Sequence, residues 1–359
     1  FQELSGLRDL VATPYGQVLG LKVLAVLGMV PLSVLAWRRV LGTPRLEAGV
    51  AVLVIGAAAL LAAFPLPPGR AAETEEGAEE APASVSALPR RGDLTLGGDA
   101  GQVLVGLTIR PARPGPNEAL VYLLPLDGED AAAGIPATLR VGGRSIQMES
   151  CGITCRRAEL DLQGGEALFV DVGTDVGGTA SFRLPDLPAP DGSAVFRSSQ
   201  ARMHELRSYR LDEVLSSGLA DVRASYAFLA PDSFTARVFR QGAVVSETVS
   251  IGGTRYLRSS PESPWKKQTG GPGLDVPRFV WDSFMPAVAT RIIGSERVQG
   301  IRTEVVAFSG SGSLPIWFRL WIDEQGLIRR AEMRAQGHFM DHRYFDFDAP
   351  IDIEPPPDA

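Results

Sequence analysis

The chain contains 359 residues, of which 45% are hydrophobic, and its formal net charge is −7 at neutral pH. Surfaces that bind nucleic acid carry a basic patch, so this acidic balance argues against a nucleic-acid partner. Only three histidines are present and no serine lies in a G-x-S-x-G turn. The sequence therefore gives catalysis little support, and we expect that the protein is not an enzyme.

The first 70 residues contain two long apolar runs. Residues 16–37 include one ionisable side chain, Lys22, and residues 48–65 include none. About 20 apolar residues in a helix span the ~30 Å hydrocarbon core of a bilayer, so we predict transmembrane helices at about 16–37 and 48–66. The Lys22 side chain can reach the outer interface, or it can line a transport path.

The charges between these runs predict the topology of the hairpin. Arg38, Arg39 and Arg45 lie in the connecting loop, opposed by Glu47 alone. Because positively charged loops stay in the cytoplasm, we expect the loop inside and everything after residue 66 outside. Residues 67–92 are rich in Pro, Ala, Glu and Ser, a composition typical of a disordered tether.

Residues 93–190 show short alternating runs separated by turn residues, which predicts an all-β sandwich. The expected strands are 103–109, 119–124, 137–141, 158–162, 167–172 and 178–184. Both cysteines of the chain, Cys151 and Cys155, lie in this region. Outside the cytoplasm a close pair favours a local disulfide. The alternative is a thiolate pair that binds Cu(I) with Met148.

After the Pro-rich segment 185–192, residues 194–217 predict the main helix outside the membrane. Apolar residues recur there at steps of three and four, namely Met203, Leu206, Tyr209, Leu211 and Val214. A second, short helix is expected around 280–285, and strand patterns occupy most of the remaining chain to residue 346. One helix followed by a long antiparallel meander indicates an α+β domain over 194–356.

The start of the chain resembles the end of the copper resistance D (CopD) family of bacterial inner-membrane proteins. The resemblance rests on Thr13-Pro-Tyr-Gly16, Leu19, Lys22 and the basic segment 37–39, and covers residues 1–66. It implies membrane copper handling, with copper as a ligand and a periplasmic copper-binding protein as a partner. The family's copper ligands on earlier helices have no matching positions here. Such proteins can carry an immunoglobulin-like domain after their helices, which is the assignment that the resemblance suggests for 93–190.

Residues 200–356 resemble the LolA and LppX/LprG-type lipoprotein superfamily. The matching segments, in order, are 226–231, 254–257, 265–267, 315–326 and 344–350. The resemblance implies an unclosed β-barrel, a curved antiparallel sheet with covering helices, and a hydrophobic cavity for an acyl chain. The residues expected to line this cavity are Met203, Leu206, Trp281, Trp317 and Trp321. The same apolar stripes would form an ordinary filled core if the helices pack down fully.

The segment His338-Phe-Met-Asp-His342 is the strongest metal candidate in the sequence. In a strand, His338, Met340 and His342 point to one face, and two imidazoles with a thioether suit copper. Residues two apart on a strand face are ~7 Å apart, however, which favours a packing or edge role instead.

These features together predict a multidomain, membrane-anchored protein. Its parts would be a helical hairpin (1–66), a linker (67–92), an immunoglobulin-like sandwich (93–190) and a LolA-like domain (194–356). The expected location is the bacterial inner membrane, crossed twice, with the bilayer as a partner and the C-terminal domains extracytoplasmic. The expected function is copper homeostasis. The alternatives are a carrier of lipids with no metal role and a docking scaffold.

Overall fold

A computed structural model describes residues 86–218, 221–270, 274–310 and 315–357. The chain divides into two compact units, Phe1–Ala83 and Ser84–Ala359, and every described residue belongs to the second. The predicted hairpin, residues 67–85 of the linker and the residues of the CopD resemblance lie outside the described part. Within the described part, no helix is both long enough and apolar enough to cross a bilayer.

The first half of the described chain forms two antiparallel sheets that share one core. Their order is β1-β2-β3-β7-β6 in one sheet and β5-β4-β8-β9 in the other, with Leu107 and Val170 among the core residues contributed by opposite sheets. The strands are β1 (Leu94–Ala100), β2 (Val103–Arg110), β3 (Gly115–Leu124), β4 (Ala137–Val141), β5 (Arg144–Gln147), β6 (Glu149–Ser150), β7 (Cys155–Leu162), β8 (Ala167–Val172) and β9 (Thr179–Arg183).

The second half is one long antiparallel sheet with a single α-helix among the described residues. The strand order is β15-β14-β13-β12-β11-β10-β20-β19-β18-β17-β16, so the sheet is unclosed and β15 and β16 are its edges. The elements are α1 (Ser193–His204), β10 (Ser208–Ser216), β11 (Val222–Leu229), β12 (Ser233–Arg240), β13 (Ala243–Ile251), β14 (Thr254–Arg258), β15 (Lys266–Thr269), β16 (Ala287–Val298), β17 (Ile301–Gly310), β18 (Ile316–Asp323), β19 (Ile328–Ala335) and β20 (His338–Phe345).

The predicted helix over 194–217 is wrong in its second half. Helix α1 ends at His204, and Ser208–Ser216 is the central strand β10. Strand β10 pairs with β11 on one side and β20 on the other, and these pairings override the weak helical spacing. The predicted short helix is present as a 3-10 helix, Val280–Phe284.

The two faces of the long sheet are covered by different elements. On the helix face, α1 packs on the sheet, with the rings of Phe196 and Phe308 4.6 Å apart. On the sandwich face, the indole Nε1 of Trp317 donates a hydrogen bond to Thr95 of β1 at 2.7 Å. Side chains along a strand alternate between faces. Away from the β-bulges in β12–β13, β16–β17 and β18–β19, the residues of the sheet can therefore be assigned to the helix face or the sandwich face.

Candidate functional site

The helix face beneath α1 is filled by the protein's own side chains. Met203, Leu206 and Trp281 are at most 2% exposed and belong to one apolar cluster with residues of β17, β18 and β20. These three predicted cavity residues are therefore brought together, but as packed core rather than as the lining of a void.

Trp317 and Trp321, the other two predicted cavity residues, lie on the sandwich face. The Trp317 indole packs against Gly97 and Gly106 of the sandwich, where a Cβ at either glycine would overlap it. Trp321 donates from Nε1 to Glu296 at 2.9 Å, and the Arg330 guanidinium lies 4.4 Å from its ring. The prediction that aromatic side chains occupy both faces of β18 is correct. The sandwich covers Trp317, whereas the partners of Trp321 belong to the long sheet itself.

Past this filled core, the helix face carries a row of aromatic side chains that leads outward, which we call the aromatic row: Tyr209, Phe228, Tyr226 and Phe234. Tyr209 is buried, and its ring stacks on Phe228 at 4.6 Å. The ring of Phe228 is also stacked with two others: the ring centroids are 5.8 Å apart for Tyr226 and 6.0 Å apart for Phe234. Tyr226, Phe228 and Phe234 are only half-buried. An apolar surface therefore continues from the core onto β11 and β12, where it remains partly open.

A polar network lies beside the aromatic row. His342 of β20 is buried; its Nε2 lies 3.2 Å from Glu213 of β10, and its Nδ1 lies 2.9 Å from the Tyr344 hydroxyl. Burial raises the pKa of Tyr344 well above its ordinary value. Burial and the nearby Glu213 carboxylate raise the pKa of Tyr226 to about 12. Both phenols are therefore protonated near neutral pH and serve as hydrogen-bond donors.

The predicted copper residues on β20 do not form an open ligand set. His338 is exposed, whereas Met340 and His342 are buried, and Met340 belongs to the core cluster. Both ring nitrogens of His342 already have protein partners. In the described part of the chain, no group of three His, Cys, Asp or Glu residues could hold a metal.

Cys151 and Cys155 are joined by a disulfide in the structure, with their Cα atoms 5.0 Å apart. The buried guanidinium of Arg156 fastens the loop between them, and burial lowers the pKa of this group. It donates hydrogen bonds to the backbone carbonyls of Ala132, Ile135, Gly152, Ile153 and Cys155. A bonded pair offers no thiolate, so this loop in its bonded form is not the Cu(I) site of the alternative.

Sequence reasoning missed Glu213 and the aromatic row. Tyr209 and Glu213 lie in the segment predicted as a helix, whereas Tyr226, Phe228 and Phe234 lie in predicted strands. The row joins three strands through cross-strand pairs such as Tyr209–Phe228 and Phe228–Phe234, which the sequence pattern does not show. The signal available was the alternation of Tyr209, Leu211, Glu213 and Leu215, which has the period of a strand.

No protein-family model and no curated protein matches this chain. Among solved structures, LprF from Mycobacterium bovis is similar, with 17% identity over 48% of this chain and 100% of that chain, at a TM-score of 0.37. Mycobacterium tuberculosis lipoprotein LppX has 12% identity over 45% of this chain and 97% of its own, at a TM-score of 0.34. A DUF1329 family protein from Desulfovibrio piger has 10% identity, 46% and 96% coverage, and a TM-score of 0.23.

Proposed function

We propose that residues 194–356 bind an elongated lipophilic ligand, such as an acyl chain, on the partly open part of the helix face, and that the role is binding rather than catalysis. The observation that carries the proposal is the aromatic row, which extends from buried Tyr209 to half-buried Phe234. Burying apolar surface gives about 0.8 kcal/mol per CH₂. A long alkyl chain laid along the row would thus bind favourably.

The place of this ligand differs from the enclosed cavity that the sequence suggests. The volume under α1 is occupied by Met203, Trp281 and their neighbours, so a chain would lie beside the covered core and not beneath the helix. A partly open surface of this kind leaves one side of the ligand exposed. We therefore expect exchange with membranes to be faster than from a closed cavity.

The natural source of such a ligand is a bilayer. We propose that the predicted hairpin of residues 16–37 and 48–66 holds the binding domain at the outer surface of a bacterial inner membrane, where alkyl chains are available. The resemblance that implies a copper role covers residues 1–66, which lie outside the described part.

Photo-crosslinking of the full chain in membranes tests the lipid proposal. The probe is hexadecanol with a diazirine at the far end of its chain, and labelled peptides are mapped by mass spectrometry. We expect labels on β10, β11 and β12, and loss of labelling in Phe234→Glu. The matched control is Phe239→Glu, because Phe239 is also half-buried on β12 but belongs to the sandwich face. Equal labelling of both variants would refute the proposal.

A further inference from the structure

Glu213 is the exception on an otherwise apolar part of the helix face. It lies on β10 between Ala224 of β11 and His342 of β20, next to Tyr226 of the aromatic row. Its side chain is 17% exposed, so the carboxylate borders both the core and the open surface. A carboxylate in such a place needs donors or a cation, since burial without them is costly.

The partners of Glu213 leave its charge in place. Tyr344 can donate to Nδ1 of His342, and Nε2–H of His342 can then donate to Glu213. This arrangement gives a hydrogen-bond partner to all three groups. Among the described residues, His342 provides the only salt-bridge contact of Glu213. Arginines on neighbouring strands, Arg223 and Arg343, occupy alternate positions and belong to the sandwich face.

The acceptor capacity of Glu213 is also not used up. An ionised carboxylate has two oxygens and about four lone-pair sites. The contact with His342 is made by Oε2, and the Tyr226 hydroxyl also hydrogen-bonds to the carboxylate. Two such contacts leave lone pairs on a carboxylate oxygen for a further donor. Because Glu213 and the aromatic row share one face, a chain lying on the row can place its head group beside that oxygen.

We infer that Glu213 selects the head group of the bound lipophile: an amine or hydroxyl donor is accepted, and an anionic head is rejected. This inference rests on the proposed function, since it needs a chain on the aromatic row. A head-group ammonium would form a charge-assisted hydrogen bond with the Glu213 carboxylate, whereas a carboxylate or phosphate would meet a like charge that no Lys or Arg side chain of the described residues pairs with.

The experiment compares two photo-reactive probes of equal length on the full chain in membranes, hexadecylamine and palmitate, each with a diazirine at the end of the alkyl chain. We expect hexadecylamine to reach half-maximal labelling at a concentration roughly tenfold lower than palmitate does. A tenfold difference in affinity corresponds to ~1.4 kcal/mol of binding free energy. In Glu213→Gln the preference should fall below about threefold. The control is Asp212→Asn, because Asp212 faces the other way and hydrogen-bonds to Ser225 at 2.7 Å; it should keep the preference.

A second probe keeps the test independent of how well Glu213→Gln folds. Hexadecylamine with the diazirine beside its nitrogen should label β10, β11 or β20 close to Glu213 in the unchanged chain. If both probes label the row equally, or if Asp212→Asn alone removes the preference, the head-group inference fails while lipid binding stands. If hexadecanol, hexadecylamine and palmitate all fail to label the row, the proposed function fails as well.

Discussion

At the scale of single residues, two glycines decide how the sandwich meets the long sheet. Gly97 and Gly106 leave the space that the Trp317 indole occupies. In sequence, Gly97-Gly98-Asp99 has the composition of a turn, and β1 is accordingly absent from the predicted strands. Glycine is required at these two positions because the Trp317 indole occupies the space that a side chain would take. The local sequence pattern could not predict this, since Trp317 lies more than 200 residues away in the chain.

The first prediction concerns this contact. Gly106→Ala places a methyl group where the indole lies, so we expect about 1–3 kcal/mol of destabilisation in urea unfolding. Trp317→Ala removes the indole and also destabilises. In the double variant the added methyl group no longer has anything to overlap. The two effects should therefore be less than additive by at least about 0.5 kcal/mol. Strict additivity would show that the glycine matters for another reason.

The second prediction concerns Arg156, whose guanidinium donates to five carbonyls. A lysine cannot reproduce this fork, and Arg156→Lys should cost about 2–3 kcal/mol. Arg157→Lys is the matched control, since the Arg157 side chain is exposed and pairs with Glu149 at 3.3 Å; this variant should change stability by less than about 0.5 kcal/mol. Similar losses in both variants would contradict the role given to Arg156.

The disulfide beside Arg156 gives a third prediction. Closing so short a loop stabilises by no more than about 2 kcal/mol, so Cys151→Ser should remain folded. The unchanged protein, not reduced, should resist thiol alkylation both before and after unfolding. Two alkylated cysteines per chain would show that the pair is free.

At the scale of elements, pattern reading located most strands and the short helix at 280–285, because alternation and turn residues are local signals. It failed where pairing with other strands determines the secondary structure. Residues 208–216 contain spacing compatible with a helix, yet pairing on both edges makes them a strand. It also could not choose which face of β18 would meet the helix, because both faces are aromatic. That choice moved Trp317 and Trp321 out of the expected site.

A fourth prediction belongs to the free arm of the sheet, strands β12 to β14. On its sandwich face, buried Glu247 lies between Arg237 and Arg258, with Arg237 Nε 2.8 Å from the carboxylate. Glu247→Gln leaves two guanidinium groups facing a neutral amide, so we expect about 1–3 kcal/mol of destabilisation. Glu149→Gln is the control, because Glu149 is 74% exposed and its pair should contribute less than about 1 kcal/mol. Equal losses of stability in the two variants would mean that the Arg237–Glu247–Arg258 contacts contribute no more than an exposed ion pair does.

At the scale of the whole molecule, the sandwich and the long sheet of the unit Ser84–Ala359 behave as one structure. Besides Trp317, Arg334 of β19 pairs with Asp99 at 2.9 Å, and Arg291 of β16 donates to the carbonyls of Gly92 and Asp93. The sequence, with its Pro-rich segment at 185–192, suggests two separable domains. The contacts instead place β16 to β19 between two covers, while β11 to β15 have a partly open helix face.

The last prediction follows from that arrangement. Residues 194–357 without the sandwich would expose Trp317, which is 1% exposed in the structure, and Arg334 would lose its contact with Asp99. We expect this fragment to aggregate or to unfold at lower urea than residues 84–357, whose tryptophan fluorescence and far-ultraviolet circular dichroism should change in a single coincident transition. Trp317→Ser in the fragment removes the exposed indole and should restore solubility without restoring stability, because the β1 contacts remain absent. Two separate transitions in residues 84–357, or a fragment as stable as the whole, would show that the sandwich and the sheet fold independently.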